Sequence, residues 1–85
     1  MSIRPNPAAL AVEAEWDPEA GVWVATSEDV PGLATEAETL ESLMAKLRVM
    51  VPELLEENGV DVGMAGGKDV PLQLVSRREE ILHLP

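Results

Sequence analysis

From residue 10 to residue 16, apolar and polar side chains alternate. Leu10, Val12, Ala14 and Trp16 fall on one side, and Ala11, Glu13 and Glu15 on the other. A period of two predicts a half-buried strand. Asp17-Pro18 suits the opening of a type I turn, and Gly21 supplies the left-handed residue that such loops use. Residues 22–27 alternate again, with Val22, Val24 and Thr26 set against Trp23, Ala25 and Ser27. A five-residue loop, 17–21, pairs Trp16 with Val22, Ala14 with Val24 and Val12 with Thr26. All even-numbered positions then share one face, whereas a slip by one residue sets glutamates opposite valines. This register sends Trp23 to the other face, across from Glu15 and near Glu13.

Val30-Pro31-Gly32 breaks the chain, and residues 33–37 read as a short third strand. Pro31 cannot donate to a ladder, which favours a strand start or an edge. The period then changes. Leu40, Leu43, Met44, Leu47, Val51, Leu54 and Leu55 follow helical spacing over 40–57. Thr39 is a good N-cap, Glu41 complements the dipole of the first turn, and Asn58-Gly59 reads as the C-cap. Pro52 removes the bond to the carbonyl of Arg48, at a cost of about 3 kcal/mol. The apolar stripe keeps phase across it, so one kinked helix is expected rather than two. Glu53, Glu56 and Glu57 have the wrong sign for the helix end they occupy.

Residues 59–69 are glycine-rich and read as a mobile crossover. Residues 70–78 return to strand character, with Leu72 and Leu74 inward, or Gln73 and Val75 under a shifted register. Ile81, Leu82, His83 and Leu84 either extend this strand or pack on a neighbour. The order strand, strand, strand, helix, strand predicts an α+β fold: a single antiparallel sheet with one long helix on one face. Residues 1–9 are assigned to a flexible tail and 10–85 to a single domain.

Charge narrows the function classes. Sixteen acids against six bases give a formal charge of −10, and up to Glu41 nine acids face Arg4 alone. Such a surface repels phosphate backbones and speeds encounter with a basic protein. Cysteine is absent, which removes thiolate metal sites and thiol nucleophiles. With His83 as the one histidine, neither a zinc site nor a serine–histidine triad can be assembled. Gly66-Gly67-Lys68 lacks the upstream glycine and the following Ser or Thr of a phosphate loop. Glu28 with Asp29, or Glu36 with Glu38, reads as solvated surface rather than a Mg²⁺ site. No cofactor is expected, no apolar run suits a membrane span, and no signal-peptide pattern precedes the first strand; the protein is read as cytoplasmic. Trp23 has two readings: a small second core beneath Ile81, Leu82 and Leu84, or an anchor at an interface.

The stretch from Trp16 to Leu33, WDPEAGVWVATSEDVPGL, followed by Thr35-Glu36-Ala37-Glu38-Thr39-Leu40-Glu41, resembles the HicB-like antitoxin superfamily. More closely, it is similar to a branch of short stand-alone domains that share this hairpin and the later Val51-Pro52-Glu53-Leu54-Leu55. The resemblance implies a β-β-β-α-β domain shaped like a reduced ribonuclease H-like fold without its catalytic residues. It also implies a small basic HicA-type RNA-cleaving toxin as partner, with the acidic face standing in for RNA, and a homo-oligomer, dimer or tetramer. Full-length HicB antitoxins carry a C-terminal DNA-binding module; eleven residues after Leu74 do not provide one, so direct nucleic-acid binding is not expected. The expected partner contacts are Trp23, Glu13 and Glu15 on the outer sheet face, with Glu28, Asp29 and Glu36 beside the Pro31-Gly32 turn. The alternative is a self-assembling module that uses Trp23 and the C-terminal strand as its own interface.

Overall fold

The structure, a computed structural model, describes residues 9–60 and 69–85. The proposed crossover and the Gly66-Gly67-Lys68 segment lie largely outside the described residues. So does the proposed tail, except Ala9, which is buried.

Among the described residues, four strands and one helix follow in the predicted order: β1 (Leu10–Asp17), β2 (Val22–Thr26), β3 (Ala34–Ala37), α1 (Leu40–Glu57) and β4 (Leu72–Arg77). They build one sheet in the order β3-β2-β1-β4. β1 with β2 and β2 with β3 are antiparallel, as expected, but β1 with β4 is parallel, so the sheet is mixed. The cause is the crossover. α1 carries the chain back along the sheet, and β4 must then run in the direction of β3, which is also that of β1.

The helix matches its predicted span. Thr39 accepts from the Ser42 backbone N–H at 3.0 Å, closing the N-terminus. At the other end Gly59 (φ +61°) takes the left-handed position. Its N–H bonds the Glu56 carbonyl at 3.2 Å, and the Val60 N–H bonds that of Leu55 at 2.9 Å, which is a Schellman cap. No basic residue lies in the last turn. Instead the Asn58 side-chain amide donates to the Leu54 carbonyl at 2.8 Å and reaches the Pro31 carbonyl at 3.4 Å. Pro52 lies inside a helix that continues to Glu57. Of the seven stripe residues, Leu43, Leu47 and Val51 are fully buried, while Leu40, Met44, Leu54 and Leu55 are half-covered.

The hairpin departs from expectation by one residue. Asp17 pairs with Val22, Trp16 with Trp23, Glu15 with Val24 and Ala14 with Ala25. The loop therefore has four residues, not five, and Asp17 is the reason. Its carboxylate accepts from the N–H groups of Glu19 and Ala20 at 3.0 and 3.2 Å, and its carbonyl accepts from the Gly21 N–H at 2.8 Å. Asp17 is thus the last ladder residue as well as the cap of the loop, and Gly21 closes the turn at φ +68°. A slip of one turns every side chain of β2 over. Trp23 and Ala25 face the helix, and Val22, Val24 and Thr26 face away.

Packing explains why this register wins. Ala14 and Ala25 pair across the middle of the sheet, Ala25 pairs with Thr35, and Ala14 and Ala25 are almost completely buried. A row of small side chains lets Leu43 and Leu47 settle close against β2 and β3. Trp23 joins the same core from its edge, with Trp16 beside it edge-to-face at 5.3 Å between ring centroids. A tryptophan has about 150–250 Å² to bury, so even half-covered its indole offers the core an area comparable to that of an inward valine.

Candidate interaction face

The helix covers one face of the sheet and leaves the other open. The outer face consists of alternate residues from all four strands. One row across it reads Glu36, Val24, Glu15, Arg77; the next reads Ala34, Thr26, Glu13, Val75. Val24 and Val75 are exposed there, 36 % and 47 %, ringed by carboxylates. Arg77 Nη1 approaches Glu15 Oε1 at 3.7 Å, with both side chains mostly in water. An open hollow on this side is lined by Glu15, Asp17, Val24 and Thr26, together with Trp16 and Pro18.

Of the six predicted contact residues, the structure brings together Glu13, Glu15 and Glu36 on this face. Trp23 is not among them: it faces the helix, half-buried against the core and Trp16. The expected aromatic anchor beside the glutamates is overturned by the four-residue loop. The second reading of Trp23, a small core under Ile81, Leu82 and Leu84, also fails, because these three are 100 %, 78 % and 77 % exposed. Arg78 fills that neighbourhood instead, its guanidinium 4.1 Å from the centre of the Trp16 ring.

Glu28 is exposed in the turn after β2, apart from the outer-face rows. Asp29 has a structural task. Its carboxylate accepts from the Ala11 N–H at 2.7 Å, while the Ser27 hydroxyl donates to the Ala11 carbonyl at 2.5 Å. The same hydroxyl accepts from the N–H groups of Asp29 and Val30 at 3.0 and 3.2 Å. β2 has ended by this point, so two side chains complete the ladder for Ala11, near the start of β1. The signal was present in the sequence as Ser-x-Asp directly after a strand.

Among the described residues, no group of three or more His, Cys, Asp or Glu side chains could hold a metal ion. No described helix is long and apolar enough to cross a membrane. The geometry offers an open, acidic sheet face with an apolar centre. Such a surface suits contact with another macromolecule better than enclosure of a small one.

No functionally curated protein is similar enough to match. Among solved structures, the chain is similar to hypothetical protein TTHA1013 from the extremely thermophilic bacterium Thermus thermophilus. The two are 58 % identical, the match covers 89 % of this chain and 99 % of that one, and the TM-score is 0.64. Residues 9–84 match a family described as a domain of unknown function, DUF1902. The match takes in every strand and the helix, and the chain belongs to the DUF1902 family.

Proposed function

We propose that this domain is a non-enzymatic binding module whose open sheet face receives a small basic protein, most specifically an RNA-cleaving toxin of the HicA type. The observation that carries the reading is the outer face itself: Glu13, Glu15 and Glu36 surround Val24 and Val75 on a side that no element of the described residues covers. An apolar centre within a charged rim is the usual anatomy of a protein interface. The sign of the rim favours a partner that otherwise grips a phosphate backbone, since the same Lys and Arg side chains would meet carboxylates instead. The resemblance of the Trp16–Leu33 hairpin to HicB-like antitoxins supplies the identity of that partner.

The test is co-purification with the product of the adjacent gene, at low and at high salt. Association that weakens with salt and is abolished by Glu13→Lys/Glu15→Lys supports the reading. A neighbour that fails to associate at low salt rejects the toxin. A second reading, a self-assembling module, is favoured by a different observation: Ile81, Leu82 and Leu84 stand out in solvent just beyond an edge strand. With Trp23 turned inward, such assembly involves the C-terminal segment alone.

A further inference from the structure

The two edges of the sheet are finished differently. β3 is short, and the Lys46 ammonium bonds the Glu36 carbonyl at 2.5 Å, a group that points away from β2. A lysine that caps an edge carbonyl blocks strand addition. β4 has no such device among the described residues. The Pro71 carbonyl accepts from the Leu10 N–H at 2.8 Å, so odd-numbered backbone groups of β4 face β1. Those of Leu72, Leu74 and Ser76 therefore face the outer edge, which is free of any other strand among the described residues.

Residues 71–85 read PLQLVSRREEILHLP, and the pattern is close to its own mirror image about Arg78. Reflection sets Leu72 against Leu84, Leu74 against Leu82, Val75 against Ile81 and Pro71 against Pro85. It also sets Arg77 against Glu79, opposite in charge. An antiparallel pair of identical strands related by a two-fold axis brings together these reflected positions. The side-chain faces agree as well. Leu72 and Leu74 lie on the core side of the sheet and Val75 on the outer side. Arg78 continues the core-side series by stacking on Trp16, and it binds Glu80, the next residue of that series, at 3.0 Å. No turn or bend interrupts residues 78–85.

We infer that two copies of this chain pair through residues 71–85 as an antiparallel ribbon centred on Arg78. Each exposed arm, 79–85, adds a strand to the free β4 edge of the other copy. Leu82 and Leu84 then extend the core-side row beside the partner's Leu74 and Leu72, which the helix leaves half-covered. Ile81 covers the partner's Val75 on the outer face, and Arg77 lies between Glu15 of its own chain and Glu79 of the partner subunit. The two Arg78 side chains meet at the axis, each already engaged by Glu80 and by the face of Trp16. The two prolines close the ribbon at positions where the pairing calls for no N–H across the new interface.

The inference rests on the self-association reading and is independent of toxin binding. Sedimentation of the full chain at micromolar concentration is expected to give about twice the mass of one chain. Leu82→Asp/Leu84→Asp is expected to sediment at half the wild-type mass with its circular dichroism retained, because both side chains stand mostly in solvent within the subunit. The register is read by Gln73→Cys/His83→Cys in a protein without native cysteine. These positions form a non-hydrogen-bonded pair across the ribbon, about 4.5 Å between Cα atoms and within disulfide reach. Along one strand they lie about 33 Å apart, so a bond between them must join two chains. Quantitative covalent dimer from this variant, and none from Gln73→Cys/Leu82→Cys, is the expected result. A wild-type chain that sediments singly overturns self-association as a whole. An oligomer that survives Leu82→Asp/Leu84→Asp, or cross-links through the control pair instead, overturns the ribbon alone.

Discussion

On the helix side of the sheet, β1 and β2 present Val12, Ala14 and Ala25, all but inaccessible to solvent, together with the half-buried tryptophans. On the far side the same two strands present Glu13, Glu15, Val24 and Thr26, all exposed. On β2 alanine is inside and valine outside, the reverse of what hydropathy alone would choose. Register decides which face a residue joins, and register here is fixed by the hairpin loop and by the space a helix needs above the sheet. Apolarity tells how much is gained if a residue is buried. It does not tell whether it will be.

Substitutions can break or sharpen that contrast. The largest loss is expected at Leu47, which is fully buried on the sheet-facing side of the helix: Leu47→Ala should cost about 2–5 kcal/mol in denaturant unfolding. Ala25→Leu should cost about 1–3 kcal/mol, because extra methylenes have no room between β2 and α1. This variant discriminates directly between the two registers, since an outward Ala25 would tolerate leucine. Asp29→Ala removes the carboxylate that binds the Ala11 N–H, with an expected loss of about 1–2 kcal/mol and faster amide exchange at Ala11. Val24→Thr, on the open face, should stay within about 0.5 kcal/mol of wild type. A large loss there would place Val24 in a core.

The span and caps of the helix were legible in the sequence. Seven apolar residues in phase, a threonine cap and an Asn-Gly stop all act within one turn of the chain, so local rules decide them. The sequence of elements along the chain was legible for the same reason, and of the two registers left open for the last strand the structure takes the one with Leu72 and Leu74 inward. The register of the hairpin was not. It depends on whether Asp17 belongs to the loop or to the ladder, and its side chain makes it both. The five-residue loop puts Trp23 on the wrong face and with it the anchor of the predicted contact surface, whereas Glu13 and Glu15 keep their places and Glu36, expected beside the Pro31-Gly32 turn, joins them in the outer-face row. Parallel pairing of β1 with β4 was also hidden, because a crossover fixes strand direction through chain geometry rather than residue type. From the sequence Asp29 looks like a surface charge and a partner contact, because the group it binds, the Ala11 N–H, lies eighteen positions earlier.

One consequence of the strand order concerns the growing chain. β1 is made first, yet it receives its second neighbour from β4, the last element in the sequence. During synthesis the hairpin, β3 and α1 can assemble while one side of β1 remains raw, and contacts that distant in sequence are slow to form. Until residues 72–77 dock, an apolar strand with unsatisfied amides is open to any extended segment nearby, including the same segment of another nascent chain.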